Sequence, residues 1–465
     1  MNTLSSRQRK LVYSCGIVFL LIPIYFLGGP TSVDVQPGTR AEVGGGMLAR
    51  MRVQYDLGES TLGEIDPSSA AMNLMLLGLR GPAATVLNLQ ALEYQEKKDW
   101  AKLKTTLDAV LKLQPHYVET WKFQGWNLAY NVSREWDKVA DRFYWVKEGI
   151  KFTKLGTARN ATAAILFHQV ADICGSKIGN ADEKSFFRKF FVVDPDTKRF
   201  DNGPDPETNQ FGKDNYLVAK DWYAIANEKD KLFGIDGKEP VLARARPARA
   251  LFDYARARQR DGVFGEENGA DWDNAYREWT EVYGKEIFLG MHDIKYKLNS
   301  TEDDFVQMAE ENKVTLAIQK RINRQNVAMT NFDRWVTIGQ CERDPLMVKA
   351  HKKIYEGKVA YKEGRIYDDL DEDNNVVPSE AEANFMEGMV ALGQVFQKYP
   401  NIAIHSEYLE EGLLALYYWS KLHQVNDKEV GPTPMGRYAN ENPDLQQDVA
   451  REFILENRLG ITGRF

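Results

Sequence analysis

The residues whose types and spacing come closest to a known chemistry lie between positions 369 and 380. Carboxylates stand at the first, third, fifth and twelfth places of this stretch, which is the spacing of an EF-hand loop that surrounds Ca²⁺ with oxygen ligands. Asn374 replaces the usual glycine, and Pro378 is an unusual occupant. The alternative interpretation is a solvated acidic loop that joins two helices. The candidate calcium ligands are Asp369, Asp371, Asp373, Asn375 and Glu380.

Other residue types that support catalysis or metal binding are present without the spacing that those functions need. The six histidines form no zinc motif, and the three cysteines form no pair at metal-ligand spacing. His168 and Asp172 are one helical turn apart, which we interpret as a structural pair. A phosphate-binding GxxxxGK[ST] loop is absent from the sequence, and so is a nucleophile elbow of the right length. We therefore assign no catalytic and no cofactor-binding residue.

Aromatic and acidic side chains are abundant, with 10 tryptophans and 21 tyrosines in the chain. Such residues line the groove of helical-barrel glycosidases, which also need two carboxyl groups on either side of the bond they cleave. The sequence does not select that pair. Half of the tryptophans lie between Trp100 and Trp145, at positions typical of a helical core, so packing is the favoured role.

Composition limits the class of protein. The 465 residues carry a formal net charge of −7, with 43% hydrophobic and 27% charged residues. The apolar content is sufficient for a folded core, and the acidic balance argues against a protein devoted to nucleic-acid binding. We therefore expect a folded chain whose partners do not include nucleic acid.

An apolar segment near the N-terminus predicts a membrane anchor. Residues 11–27 contain no charge, and their length is just enough to cross ~30 Å of hydrocarbon. Arg7, Arg9 and Lys10 precede them, which predicts a cytoplasmic N-terminus and an extracytoplasmic body. A cleaved signal peptide is the alternative, but no clear small-residue cleavage site follows. We assign 1–10 as a cytoplasmic basic N-terminus, 11–29 as a transmembrane helix in the inner membrane, and 30–64 as a flexible linker.

Beyond the linker, the sequence predicts helices in pairs. Apolar residues recur at helical spacing, and strand patterns are scarce. Residues 82–130 fit one tetratricopeptide (TPR) unit of about 34 residues and the start of another, in which small residues let two helices approach and aromatic residues fill the space beside them. The residues assigned to this packing are Ala91, Tyr94, Pro115, Trp121, Gly125 and Gly357.

The predicted fold class is all-α, an irregular TPR-like α-solenoid with one N-terminal transmembrane helix. A polar connection between residues 194 and 212 separates two helical regions, and we place the boundary near Asp205. The predicted regions are N-terminal repeats at 65–204, C-terminal repeats at 205–425, and a tail with a short helix at 426–465.

Six stretches of this chain carry a resemblance to known proteins in their order and spacing: residues 124–133, 142–150, 177–191, 214–223, 247–266 and 353–365. In these stretches the chain resembles a bacterial family of membrane-anchored, TPR-like α-solenoid proteins. The resemblance extends over most of residues 60–425 and departs from the family pattern at the acidic stretch 369–380. The family has no established activity to transfer to particular residues. Some members bear a label referring to an iron-responsive element, and these residues support neither iron nor RNA chemistry.

Together these patterns predict a non-enzymatic scaffold, tethered to the membrane, that binds a protein or peptide partner for an envelope or export assembly. No cofactor is expected apart from possible Ca²⁺. Two alternatives stay open: a helical-toroid hydrolase acting on polysaccharide, and a calcium-responsive adaptor that uses Asp369, Asp371, Asp373 and Glu380.

Overall fold

The computed structural model describes residues 80–233, 240–290, 293–429 and 431–461, two short strands nearer the N-terminus, and five single positions between residues 7 and 19. The described chain is mostly helical, which confirms the predicted all-α class. Its strands form three antiparallel pairs of two or three residues each. These pairs are β1 (Ser32–Asp34) with β2 (Glu42–Gly44), β3 (Phe288–Leu289) with β4 (Lys295–Tyr296), and β5 (Asp369–Leu370) with β6 (Val376–Val377).

The predicted membrane helix at residues 11–29 falls outside the described residues, apart from single positions. Among the residues that the structure does describe, no helix combines the length and apolar character needed to span a bilayer. The anchor and the inner-membrane location therefore stay predictions.

The chain divides into two compact units. The first contains residues up to Gln210 together with Ile225–Asp236, and the second contains Phe211–Ala224 together with Gly237–Phe465. The boundary predicted near Asp205 lies close to Gln210. Helix α9 (Asn215–Phe233) contributes residues to both units.

Helices of the first unit pack as consecutive pairs, α1 (Arg80–Glu96) with α2 (Trp100–Leu113) and α3 (Val118–Tyr130) with α4 (Val139–Arg159). Helix α2 begins where the Asp99 side chain accepts a hydrogen bond from the Lys102 backbone N–H, at 3.2 Å. The helices are α1 (Arg80–Glu96), α2 (Trp100–Leu113), α3 (Val118–Tyr130), α4 (Val139–Arg159), α5 (Ala164–Asp172), α6 (Ile178–Asn180), α7 (Lys184–Val192) and α8 (Thr197–Phe200). A 3₁₀ turn (Val132–Glu135) precedes α4, and a π-helical turn (Ile173–Lys177) precedes α6.

A group of charges around two buried aspartates holds the connection after α7 against helix α4. We call it the lysine cluster, and it consists of Lys147, Lys151, Asp194, Asp205 and the exposed Glu207. Lys147 Nζ contacts Asp194, and it lies 3.2 Å from Asp205 Oδ2. Lys151 Nζ lies 2.8 Å from the same Asp205 oxygen and 3.0 Å from Glu207 Oε2. The side chains of Asp194 and Asp205 are 2% and 1% exposed, so their charges depend on these two lysines.

The second unit has a continuous core to which most of its helices contribute. At its centre the rings of Trp272, Trp279 and Trp335 all lie within about 6 Å of the Phe252 ring. The helices are α10 (Pro240–Arg244), α11 (Arg246–Arg260), α12 (Glu266–Arg277), α13 (Glu302–Glu311), α14 (Leu316–Thr330), α15 (Phe332–Glu342), α16 (Pro345–Lys362), α17 (Glu380–Lys398), α18 (Ser406–Val425), α19 (Gly436–Glu441) and α20 (Pro443–Ile461). A π-helical turn (Glu278–Tyr283) extends α12.

Helices α16 and α17 flank the acidic stretch, as its sequence context predicts. Helix α16 begins with a proline after Asp344, whose carboxylate accepts from the Leu346 N–H at 3.0 Å. Helix α17 begins after Ser379, whose hydroxyl accepts from the Glu382 N–H at 3.3 Å. Both starts follow ordinary capping chemistry.

Candidate functional site

A buried network of charged and polar side chains in the second unit surrounds Glu342, the last residue of α15. Its side chain is 1% exposed. Glu342 Oε1 accepts a hydrogen bond from the Tyr408 hydroxyl at 2.7 Å, and Oε2 accepts from Gln259 Nε2 and from His351 Nε2, each at 3.1 Å. Helices α11, α15, α16 and α18 therefore meet at one carboxylate.

His351 lies between two carboxylates. Its Nε2 contacts Glu342, and its Nδ1 lies 2.8 Å from Glu411 Oε1. Since carboxylates only accept hydrogen bonds, both ring nitrogens donate, and the ring carries a positive charge. Burial opposes that charge, but Glu411 and Glu342 outweigh burial and raise the pKa of His351 well above its ordinary value.

Glu342 is held in its ionised form. Burial alone would raise its pKa, but His351 and Arg256 outweigh burial, and the pKa of Glu342 lies below its ordinary value. A general acid needs a carboxyl group with a raised pKa. Glu342 therefore has the electrostatics of a fixed ion pair with His351 and does not match the general acid of a glycosidase.

An open groove of about 770 Å³ lies elsewhere in the second unit, beside the first turns of α12 and α16. Its charged lining includes the basic residues Arg343, Lys349, Lys352 and Lys353. Arg343 pairs with Asp273 at 3.3 Å, and Lys353 pairs with Glu356 at 3.1 Å. The hydrolase alternative predicts an acidic pocket lined by aromatic rings, and this groove has a different lining.

Four of the predicted calcium ligands lie on an exposed hairpin formed by β5 and β6, and the fifth, Glu380, is the first residue of α17. Asp371 accepts hydrogen bonds from the N–H groups of Asp373 and Asn375 and from the Asn375 side chain, at 2.8 to 3.0 Å. Glu380 pairs with Arg365 at 2.5 Å instead of turning towards Asp371. Asn374 has a φ of 59°, which is the left-handed conformation that glycine has in an EF-hand.

Within the described ranges, no group of three or more His, Cys, Asp or Glu side chains is placed to hold a metal ion. The loop of Asp369, Asp371, Asp373, Asn375 and Glu380 would have to rearrange to bind Ca²⁺, and calcium binding stays a prediction. Calorimetry tests it: heat on adding Ca²⁺ that is lost in Asp371→Ala would support it, and no heat in the wild type would contradict it.

The packing residues predicted in the first unit lie in helix contacts. Ala91 is buried with Leu103 and Leu107, and Tyr94 packs against them. Trp121 is buried against the α4 ring of Phe152, with a centroid distance of 4.9 Å. The Pro115 carbonyl accepts from Trp121 Nε1 at 2.8 Å and from Asn160 Nδ2 at 3.1 Å, which fixes the turn before α3.

Gly125 and Gly357 lie at the closest approaches of two helix pairs. A Cβ on Gly125 would overlap Thr153 Oγ1 of α4, and one on Gly357 would lie 2.9 Å from the Phe385 ring of α17. The partner helix of each also contributes a glycine that the sequence analysis missed. A Cβ on Gly149 would lie 2.7 Å from the Gly125 carbonyl, so these two glycines face each other, and one on Gly388 would lie 2.7 Å from Ile354 of α16. Both helix pairs therefore pack closely at glycines contributed by each helix.

The opposite side of α3 carries an aromatic surface, which we define as Phe123, Trp126 and Tyr130. These residues recur at three- and four-residue spacing, so they share one face of the helix. Phe123 is 42% and Trp126 43% exposed. The ring of Trp126 lies 6.4 Å from Phe123 and 5.8 Å from Tyr130, between centroids. The sequence analysis had assigned tryptophans of this region to packing.

Comparison with protein-family models, with curated protein sequences and with solved structures finds no match for this chain. The resemblance to membrane-anchored TPR-like proteins is therefore neither supported nor opposed by them. The site has to be interpreted from its own geometry.

Proposed function

We propose that this protein is a non-enzymatic interaction scaffold, a TPR-like α-solenoid that is held at the membrane by residues 11–29 and that binds a protein partner in an envelope or export assembly. The observation that carries the proposal is the aromatic surface on α3. The helix pairs joined through Gly125 and Gly149, and through Gly357 and Gly388, support the TPR-like interpretation, because such repeats need close helix approach.

The aromatic surface has the properties of a protein-binding site. One side of α3 packs against α4 through Trp121 and Gly125. Its other side leaves Phe123 and Trp126 over 40% exposed. Adjacent exposed aromatic residues are a feature of interfaces, where tryptophan and tyrosine often supply most of the binding energy.

Site-specific photo-crosslinking tests this function. A photoreactive phenylalanine analogue replaces Trp126 in the full-length chain, in membranes of the cells that produce it. Phe211, which is 76% exposed in the second unit, is the matched control position. We expect a discrete adduct with one protein from position 126, none from position 211, and a weaker adduct when Phe123→Ala is added.

The proposal would be contradicted by no adduct at position 126, or by the same adducts at both positions. Trp126→Ala provides a check on folding. Because its side chain lies on the surface, we expect a change in the free energy of unfolding of less than about 0.5 kcal/mol.

A further inference from the structure

Helix α11 presents a row of arginines on one face. Arg246, Arg249, Arg256 and Arg260, with Asp253 among them, follow at three- and four-residue spacing. In the whole chain acidic residues outnumber basic ones, so this row is a local reversal of the overall charge.

Two of these arginines lie over the same indole ring. The Arg249 guanidinium carbon is 3.7 Å from the centroid of the Trp335 ring, and that of Arg256 is 5.2 Å from it. Trp335 is 5% exposed and packs against Phe252. Both guanidinium groups are therefore held against the same buried indole. We define the arginine cluster as Arg249, Arg256 and Arg334, with Trp335 beneath.

The three arginines differ in their partners. Arg256 pairs with Glu407 at 2.9 Å, and Arg334 pairs with the same carboxylate at 3.2 Å. Arg249 has no ion pair among the described residues, and its Nε is buried without a hydrogen-bond partner there. A buried donor left unpaired destabilises the fold, and an arginine cannot avoid this by losing its proton at neutral pH.

The charges that act on Arg249 are one carboxylate and several arginines. Burial lowers the pKa of Arg249 to about 10; Arg246, Arg256 and Arg334 act in the same direction, and Asp253 opposes them. Burial raises the pKa of Asp253 despite the arginines around it. Arg249 therefore lies among more positive than negative neighbours, and it forms no ion pair with Asp253 among the described residues.

We propose that the arginine cluster binds an oxyanion, a carboxylate or phosphate group of a ligand, between Arg249 and Arg334. Planar guanidinium groups bind such anions through paired hydrogen bonds, and a group already stacked on an indole loses little freedom when it does so. Arg249 supplies the donors that lack a partner in the described chain, and Arg334, which is 42% exposed, lies towards solvent. This inference does not depend on the aromatic surface or on the proposed scaffold function.

Calorimetric titration of the full-length protein in detergent tests the proposal. Inorganic phosphate and succinate are titrated separately, with sodium chloride holding the ionic strength constant, so the two arms distinguish phosphate from carboxylate. We expect saturable heat in at least one arm. In Arg249→Gln the dissociation constant should rise about tenfold or more, because charged hydrogen bonds are lost.

Arg343→Gln is the matched control. Arg343 also stacks on an aromatic ring, at 4.3 Å from the Tyr276 centroid, but it has a carboxylate partner in Asp273. We expect the affinity of Arg343→Gln for phosphate or succinate to stay within about twofold of the wild type. Arg334→Gln, at a partly exposed side chain, gives a second variant that does not disturb the core, and it should weaken binding several-fold.

The proposal is overturned if the wild type shows no saturable heat in either arm, or if Arg249→Gln and Arg343→Gln weaken binding equally. A folded Arg334→Gln variant with unchanged affinity would also contradict it, because Arg334 is assigned the outer side of the site.

Discussion

The lysine cluster of the first unit and the arginine cluster of the second are each built on a long helix, but they differ in the carboxylates that face them. Lys147 and Lys151 meet two buried aspartates and Glu207. Arg256 and Arg334 share the single carboxylate of Glu407, and Arg249 has no ion pair among the described residues. The first cluster is completed by its own chain and fastens a loop, whereas the second retains positive charge that a ligand can neutralise.

The largest effect should come from opening the lysine cluster. Lys147→Met leaves Asp194 and Asp205 buried with one lysine fewer, and we expect the free energy of unfolding to fall by about 3–5 kcal/mol, measured by denaturant titration. Lys102→Met is the control, since its exposed pair with Asp99 is screened by solvent and its loss should leave stability almost unchanged. Similar losses in both variants would contradict the assigned role of the lysine cluster.

The buried network around Glu342 should give the next largest effect, and it depends on pH. The pKa of His351 is raised in the folded state, so its stabilisation is complete below about pH 6.5 and is lost as pH rises through the folded pKa. The pKa of Glu342 is lowered, so its contribution is present above its unfolded pKa near 4.5 and is lost as pH falls through the folded pKa.

The free energy of unfolding, measured from pH 5 to pH 9, gives the contribution of His351 to stability. We expect His351→Gln to cost about 3 kcal/mol at pH 6 and to lose less stability than the wild type as the pH rises. Parallel curves for the two proteins would show that His351 does not hold the extra proton.

The glycine contacts are common to both units and should behave alike. Gly125→Ala and Gly357→Ala each force a methyl group into a neighbouring helix, and we expect each to cost about 1–3 kcal/mol. Gly269→Ala is the control, because nothing lies within 4 Å of its added Cβ, and alanine in a helix should raise stability slightly. Thermal unfolding of the three variants gives the comparison, and a neutral Gly125→Ala would contradict the close approach.

Local sequence signals were sufficient for the fold class and for the helix pairs. Periodic apolar residues predicted a helix on each side of the acidic stretch, and Gly125 and Gly357 were recognised as small packing positions. Their partners Gly149 and Gly388 were missed, because the register between two helices depends on tertiary packing that one helix does not encode.

The sequence alone did not predict most of the charged sites. Glu342, His351 and Tyr408 lie on three different helices. His351 is 9 positions and Tyr408 is 66 positions from Glu342 in the sequence, and no motif connects them. A signal for the arginine cluster did exist, since the arginines of α11 recur at helical spacing. The sequence does not show which side chains face these arginines, because Trp335 and Glu407, which contact them, lie far away in the chain.

The most direct test of the account is the free energy of unfolding of Arg249→Met, measured beside Lys147→Met in buffer without polyvalent anions. Methionine keeps an apolar contact with Trp335 while removing a buried charge that has no ion-pair partner among the described residues, so we expect stability to change by no more than about 1 kcal/mol. A loss as large as that of Lys147→Met would show that the chain itself already compensates Arg249, and it would contradict the difference between the two clusters.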